Sequence, residues 1–289
     1  MSEKEVDHVS GVSTTGHSWD GIKELDNPMP RWWLICFYVT IAWALAYAIA
    51  YPAWPLIRTA TTGVLGYSSR AEMRKELDAA QEAKAEYIAA ISRKSIDEIM
   101  ADDTLRTFAT AAGAAAFKIN CVQCHGSGAQ GSPGYPNLND DEWLWGGTPR
   151  EIQQTIAHGI RFAEDPETRV SEMPAFGAML QSKQIAQVSA FVLSLSGKDQ
   201  GAAATDIAAG KEIYAQNCAA CHGNAGKGNH ELGAPDLTDA IWLYGSTPAA
   251  VAAQIRTPKH GVMPAWNARL GDTLVKELTV YVHSLGGGR

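Results

Sequence analysis

The chain has 289 residues, with 24 Lys and Arg against 31 Asp and Glu for a formal net charge of −7. That acidic balance argues against a nucleic-acid partner, which would ask for a basic face. Of the five cysteines, four fall into one repeated motif and a single one is left over, so no disulfide framework is expected.

Residues 1–31 read as a polar segment ahead of a membrane anchor. From Trp32 to Ile57 no residue is charged, and Arg31 and Arg58 bracket the run. A bilayer core about 30 Å thick needs about 20 helical residues, and Trp32 to Tyr51 supplies them before Pro52 and Pro55 interrupt. Trp32, Trp33, Tyr51 and Trp54 fall at the two ends, where amphipathic rings favour the interface. A cleaved signal peptide is the alternative. The long, more acidic than basic stretch before the run, and the lack of a small-residue cleavage site after it, argue instead for a retained anchor over 32–57. Cys36 within it is expected to be a buried small residue. Residues 58–107 form a connector. Its stretch 70–100 is rich in Ala, Glu, Lys and Arg, with apolar positions such as Met73, Leu77, Tyr87, Ile88, Ile91, Ile96 and Ile99, a composition that favours helix. It reads equally as a stalk or an arm against a partner and as a solvated connector.

Beyond the connector Cys-x-x-Cys-His occurs twice, as CVQCH from Cys121 to His125 and as CAACH from Cys218 to His222. This is the attachment signature of c-type haem. Two thiols three positions apart each bond a haem vinyl carbon, while the adjacent histidine meets the iron from the same side. Structural zinc is the rival use of paired Cys-x-x-Cys. The wide separation of Cys124 from Cys218 and the histidine directly after each pair argue against it. Two covalently bound haem c groups are therefore expected, on Cys121, Cys124, Cys218 and Cys221, with His125 and His222 as axial iron ligands.

The surroundings of the two motifs repeat. Gly113, Phe117 and Cys121 match Gly210, Tyr214 and Cys218 at a constant offset and at helical spacing. PNLNDDEWLWGGTPREI from Pro136 answers PDLTDAIWLYGSTPAAV from Pro235, Met173-Pro-Ala-Phe answers Met263-Pro-Ala-Trp, and VSAFVLSL from Val188 answers LTVYVHSL from Leu278. The first copy carries extra residues in the charged stretch Arg161 to Glu172. Helical patterns dominate, so the expected fold class is all-α: one N-terminal transmembrane helix followed by two tandem cytochrome c-type domains, 108–197 and 198–289.

The repeat also offers the second iron ligand. A thioether opposite histidine stabilises ferrous iron and raises the potential. Met173 and Met263 alone among the seven methionines recur at equivalent positions, and the proline after each favours a rigid loop over a helix around the sulfur. Both are expected to be axial ligands. Ligation within each repeat is the default arrangement; exchange between closely apposed modules is the alternative. Met179 has no counterpart and is expected to pack. His158-Gly159 and His260-Gly261 recur as well and are the rivals for the distal position. Their unequal offsets to the methionines favour a loop-packing role. Trp143 with Trp145, and Trp242 with Tyr244, precede Gly-x-Thr-Pro in each copy. They suit packing on the porphyrin or hydrogen bonding to its propionates, or ordinary core packing beside a helix start with Thr148 or Thr247 as N-cap and proline at N1. None is expected to be catalytic.

Charge does little to orient the span, since Lys23 and Arg31 face Arg58 and Arg70 across it. Thioether attachment takes place outside the bacterial cytoplasmic membrane, so the haem modules are expected in the periplasm and residues 1–31 in the cytoplasm. From 110 to 197 there are 5 basic and 8 acidic residues, and from 198 to 289 8 of each. With the haem propionates added, such a surface would steer a basic donor protein.

The stretch DGIKELDNPMPRWW from Asp20 to Trp33, one span, a helical connector and two CxxCH modules with Met-Pro-Ala-aromatic loops closely resemble the dihaem subunit III family, CcoP or FixP, of cbb3-type cytochrome c oxidase. The resemblance covers nearly the whole chain, and Cys121, Cys124, His125, Cys218, Cys221, His222, Met173 and Met263 match the family's haem-binding set. It implies a bacterial inner-membrane subunit, not an enzyme on its own. Such a subunit passes electrons from a soluble or membrane-anchored donor cytochrome c to partner subunits, one with a further c haem and one catalytic, that reduce oxygen in aerobic or microaerobic respiration. Two other readings stand beside it: the dihaem electron-transfer subunit of another periplasmic oxidoreductase, and a dihaem peroxidase.

Overall fold

A computed structural model describes residues 5–286. It divides into two compact units, Met1–Ala83 and Lys84–Arg289.

The first unit opens with a feature not expected for residues 1–31. Strands β1 (Thr14–Trp19) and β2 (Ile22–Leu25) pair antiparallel with Trp19 opposite Ile22. Asp20 and Gly21 at the turn have φ of 51° and 88°, the positive pair that suits a two-residue hairpin to the right-handed twist of its strands. Helix α1 (Arg31–Ala50) follows, apolar all round, with a mean hydropathy of 1.9 and none of its residues buried within the chain. It ends at Ala50, so the helical part of the anchor is shorter than 32–57. Tyr51 is extended, as a residue before Pro52 is driven to be. The chain then folds back, and Val64 and Leu65 donate their N–H groups to the Ile49 and Ala50 carbonyls at 2.9 and 3.1 Å. Gly63 permits this: φ is +68° and a Cβ would strike the Ala50 backbone. Cys36, expected to be buried, is exposed on the helix surface.

The connector is helical, as α2 (Ser69–Arg93) and α3 (Ile96–Ala101), the latter started by a reciprocal Ser95–Glu98 capping box. Ile91, Ile96 and Ile99 are buried together with Leu105, Ala109 and Val280. Each such side chain contributes about 1.5–3 kcal/mol on burial, so the end of the connector is fixed to the haem-module body and is no stalk there. Lys276 fastens it further. Its ammonium donates to the Ser92 carbonyl at 3.2 Å, close to the C-terminus of α2, and pairs with Asp272 at 2.6 Å, where a cation is favoured by the helix dipole.

The first repeat supplies α4 (Asp103–Asn120), α5 (Val122–His125), α6 (Pro149–His158) and α7 (Ser182–Leu195). The second supplies α8 (Ala204–Asn217), α9 (Ala219–His222), α10 (Pro248–Arg256), α11 (Asn267–Leu270) and α12 (Asp272–Ser284). The repeats are consecutive in sequence yet interleaved in space. Helix α12 packs on α4 and α6, while α7 packs on α8 and α10. One core therefore joins Phe117, Ile152 and Ile156 to Val275, Leu278 and Val282, and the other joins Ile185, Val188 and Phe191 to Tyr214, Val251 and Ile255.

The two crossings are alike. Gly113 lies against the backbone of Glu277, and Gly210 against that of Gln187, each so close that a Cβ would strike the carbonyl. The aromatic pairs beside them also match: Phe117 with Tyr281 at 5.3 Å and 59°, and Tyr214 with Phe191 at 5.2 Å and 58°. Both are tilted ring pairs of the favoured kind. The initial helix of each repeat is thus completed by the final helix of the other. The short link between α7 and α8 makes one of these pairs a local helical hairpin.

Candidate haem-binding site

Each Cys-x-x-Cys-His forms one short helical turn after a kink in the preceding helix. Cys121 and Cys218 stand at αR conformation between the long helix and the turn, and Gly126 and Gly223 end it at φ of 81° and 75°. Burial of Cys121 and Cys218, with the neighbouring thiol of each pair, pushes both up to about 11. His125 Nδ1 meets the Pro136 carbonyl at 3.0 Å and His222 Nδ1 meets that of Pro235 at 3.2 Å. As N–H donors these nitrogens fix the tautomer and leave Nε2 as the free lone pair, the usual arrangement behind a metal-bound imidazole. Burial also pushes both histidines below their ordinary pKa, opposed by that same backbone bond, which favours the neutral form a metal needs.

A continuous cavity of about 940 Å³ touches Cys121, Cys124, His125, Cys218, Cys221, His222, Met173 and Met263 together. Ligand sites usually span about 300–1,000 Å³, so the space suits large apolar groups. Two thiols beside an oriented imidazole in each half fit the donor set of haem c. The structure therefore brings together all eight residues singled out from the sequence, but in an order that the sequence left open. Met263 packs with Cys121, Phe117 and Trp143, and Met173 packs with Cys218, Tyr214 and Trp242. Each methionine thus shares a core with the first cysteine of the other repeat's motif.

The rival residues fall elsewhere. His158 Nδ1 bridges to Asp165 at 3.2 Å and its Nε2 lies 3.5 Å from Glu167, within the extra loop of the first repeat. His260 reaches the cavity wall, but its Nε2 meets the Met173 carbonyl at 3.2 Å. Met179, expected to pack, is 61% exposed at the end of a 3₁₀ turn, Phe176–Ala178. Trp143 and Trp242 donate their indole N–H groups to the Asp140 and Asp239 carbonyls, each at 3.0 Å. They therefore wall the cavity without a free donor. Thr148 and Thr247 cap α6 and α10, with proline at the first helical position.

Two equivalent loops bring carboxylates together. Burial first, then the hydrogen bond and charge of Asp239, push Glu142 up to about 8 from an ordinary 4.5, and burial raises Asp140 as well. Between those two values the folded chain holds a proton on Glu142 that the unfolded chain lacks, so stability must fall as pH rises through the window. Glu142→Gln should flatten that fall. Thermal unfolding of both proteins at about pH 5 and about pH 8.5 measures it, and equal slopes would refute it.

A helical chain with one apolar helix long enough to span a membrane and two Cys-x-x-Cys-His turns on one cavity has the make-up of a c-type cytochrome. Its sequence matches place it further. Residues 108–192 and 205–282 match the family described as cytochrome c oxidase, cbb3-type, subunit III, and residues 11–58 match the N-terminal domain of cytochrome oxidase-cbb3, FixP. The chain belongs to the subunit III family of cbb3-type cytochrome c oxidases. It is 60% identical over 285 residues to the cbb3-type cytochrome c oxidase subunit FixP of Sinorhizobium medicae, covering 99% of this chain and 98% of the relative. The FixP of Rhizobium meliloti matches to the same extent, and the CcoP subunit of Cereibacter sphaeroides is 55% identical over 291 residues, with 100% of both chains covered. The family match implies haem c binding, and with helix α1 it makes this a membrane-anchored electron-transfer subunit with no catalysis of its own.

Arg161, not singled out from the sequence, also lines the cavity wall. The signal was present in the charged extra stretch of the first repeat, which sequence comparison marks only as an insertion.

Proposed function

We propose that the chain carries two covalent haem c groups, one on Cys121 and Cys124 between His125 and Met263, the other on Cys218 and Cys221 between His222 and Met173. Through them it passes single electrons from a periplasmic donor cytochrome c, soluble or membrane-anchored, to the monohaem c and catalytic subunits of a cbb3-type oxidase. The observation that carries this reading is the shared cavity: both attachment motifs and both methionines line one space. When bound, each haem supplies a ferric–ferrous couple whose potential the thioether raises.

The chain's own residues do the rest. The Pro136 and Pro235 carbonyls hold the imidazoles in register. Met263 and Met173 each share a core with the first cysteine of the other repeat, and Trp143 and Trp242 line the apolar wall beside them. Were each iron held by a histidine and a methionine, no coordination position would stay open for oxygen or peroxide, so oxygen chemistry would belong to a partner subunit. The domain division 108–197 and 198–289 is a division of sequence repeats that fold as one interleaved body. The body lies in the periplasm, and the segment before α1 in the cytoplasm of the bacterial inner membrane.

The test is purification of the tagged chain from membranes in mild detergent. Oxygen consumption and b-type haem absorption should come with it. A preparation that holds c-type haem but brings neither would assign it to a different periplasmic complex.

A further inference from the structure

The extra loop of the first repeat places two arginines against Trp145. The Arg161 and Arg169 guanidinium carbons lie 5.5 and 5.6 Å from its ring centroid, within cation–π range. Arg161 Nε donates to the Ser171 carbonyl at 2.8 Å and its Nη1 to the Gly261 carbonyl at 2.9 Å. Ser171 and Gly261 each stand two residues before a proposed methionine ligand, so one side chain ties the two methionine loops together. Arg169 Nη1 donates to the Trp145 carbonyl and to Thr155 Oγ1, both at 3.0 Å.

The donor accounting is incomplete. A guanidinium has five N–H groups, and each of these arginines spends two of them on the protein. Both are half-buried, and burial is the first influence on each. Neither has a carboxylate within ion-pair distance among the described residues, and Glu172, near Arg161, faces His260 instead. Retaining a half-buried cation without a counter-ion is costly. The chain also holds Arg161 at φ of +53°, a left-handed conformation that costs a non-glycine residue about 1–2 kcal/mol. Arg161 lines the cavity wall. The group missing from this arrangement is an anion inside the cavity, and haem c brings two carboxylates.

We propose that Arg161 is the propionate anchor of the haem pair, fixing a haem carboxylate with the donors left over from the two methionine loops, with Arg169 holding Trp145 behind it. This rests on the two-haem reading above. Arg161 is a positioning residue: it acts on haem potential through charge and on ligand geometry through the loops. The second repeat has no arginine to match it, since the extra loop is absent there, so the two haems receive unequal compensation of their propionates.

The experiment uses the detergent-purified holoprotein with Arg161→Gln and Arg161→Lys. Pyridine haemochrome content comes first: fewer than two haems per wild-type chain defeats the two-haem reading rather than this proposal. With two haems present, Arg161→Gln should shift the reduction equilibrium of one haem about tenfold towards the ferric state, 59 mV for one electron. The propionate bending band in the resonance Raman spectrum should move with it. Arg161→Lys keeps the charge but not the planar fork, so it should recover most of the potential. Wild-type potentials and an unmoved propionate band in Arg161→Gln would overturn the proposal, as would equal shifts in the Gln and Lys variants, which signal loop support alone. Should the glutamine variant be too unstable to purify, Arg161→Lys decides by itself: a moved propionate band with a potential near that of wild type supports the proposal, and an unmoved band or a lowered potential overturns it.

Discussion

Replacing Met263 with histidine should alter the haem attached at Cys121 and Cys124, 142 positions earlier in the chain, and leave the haem at Cys218 and Cys221 untouched. The reason is packing: Met263 shares a core with Cys121, Phe117 and Trp143, whereas Met173 shares one with Cys218, Tyr214 and Trp242. Imidazole in place of thioether favours ferric iron. The potential of that haem should therefore drop by a sizeable part of the roughly 0.8 V that axial ligands span, and half of the near-infrared band of Met-ligated ferric haem should vanish. A chain with Cys218 and Cys221 both changed to alanine, which attaches only the first haem, makes the assignment direct. In that background Met263→His abolishes the remaining band and Met173→His spares it. The opposite result would restore ligation within each repeat.

Valine at Gly113 or Gly210 should prevent the interleaved body from forming. Within a helix, glycine is about 1 kcal/mol less favourable than alanine, so a side chain at either site would stabilise an isolated helix. At these crossings it meets the backbone carbonyl of Glu277 or Gln187 instead, a group that is itself held in a helix and has nowhere to retreat. Inserting atoms into a packed interface costs about 1–3 kcal/mol even where neighbours give way. Alanine should thus lower the melting temperature despite its propensity, and valine should cost more than the top of that range and abolish methionine ligation of the haems. The near-infrared band of Met-ligated ferric haem and thermal unfolding read both effects, and an alanine variant as stable as the parent would remove the crossing from the account.

Much of this was legible in the sequence. The uncharged run before Pro52 foretold α1, the Thr-Pro pairs foretold the starts of α6 and α10, and the constant offset of Gly113, Phe117 and Cys121 from Gly210, Tyr214 and Cys218 foretold equivalent haem turns. The hairpin at Asp20-Gly21 went unread although its dipeptide is a turn signal, because the flanking strands are short and largely exposed. The partnering of Met173 and Met263 was open, since a repeat aligned on itself gives the same ligand set whether or not the final helices change places. Link length held a hint. Only eight residues separate α7 from α8, enough for a hairpin but a constraint on α7 returning to its own first helix.

The interleaving also sets a timetable. The core around Cys218 draws on residues from Phe176 to Ile255, neighbours along the chain, whereas that around Cys121 needs Val275, Leu278 and Val282. Closing the α4–α12 pair over the intervening chain, compared with the eight-residue link of α7 and α8, costs about 2–3 kcal/mol more in loop entropy. The later haem motif thus acquires its surroundings first, and the earlier one waits until the last helix has been made.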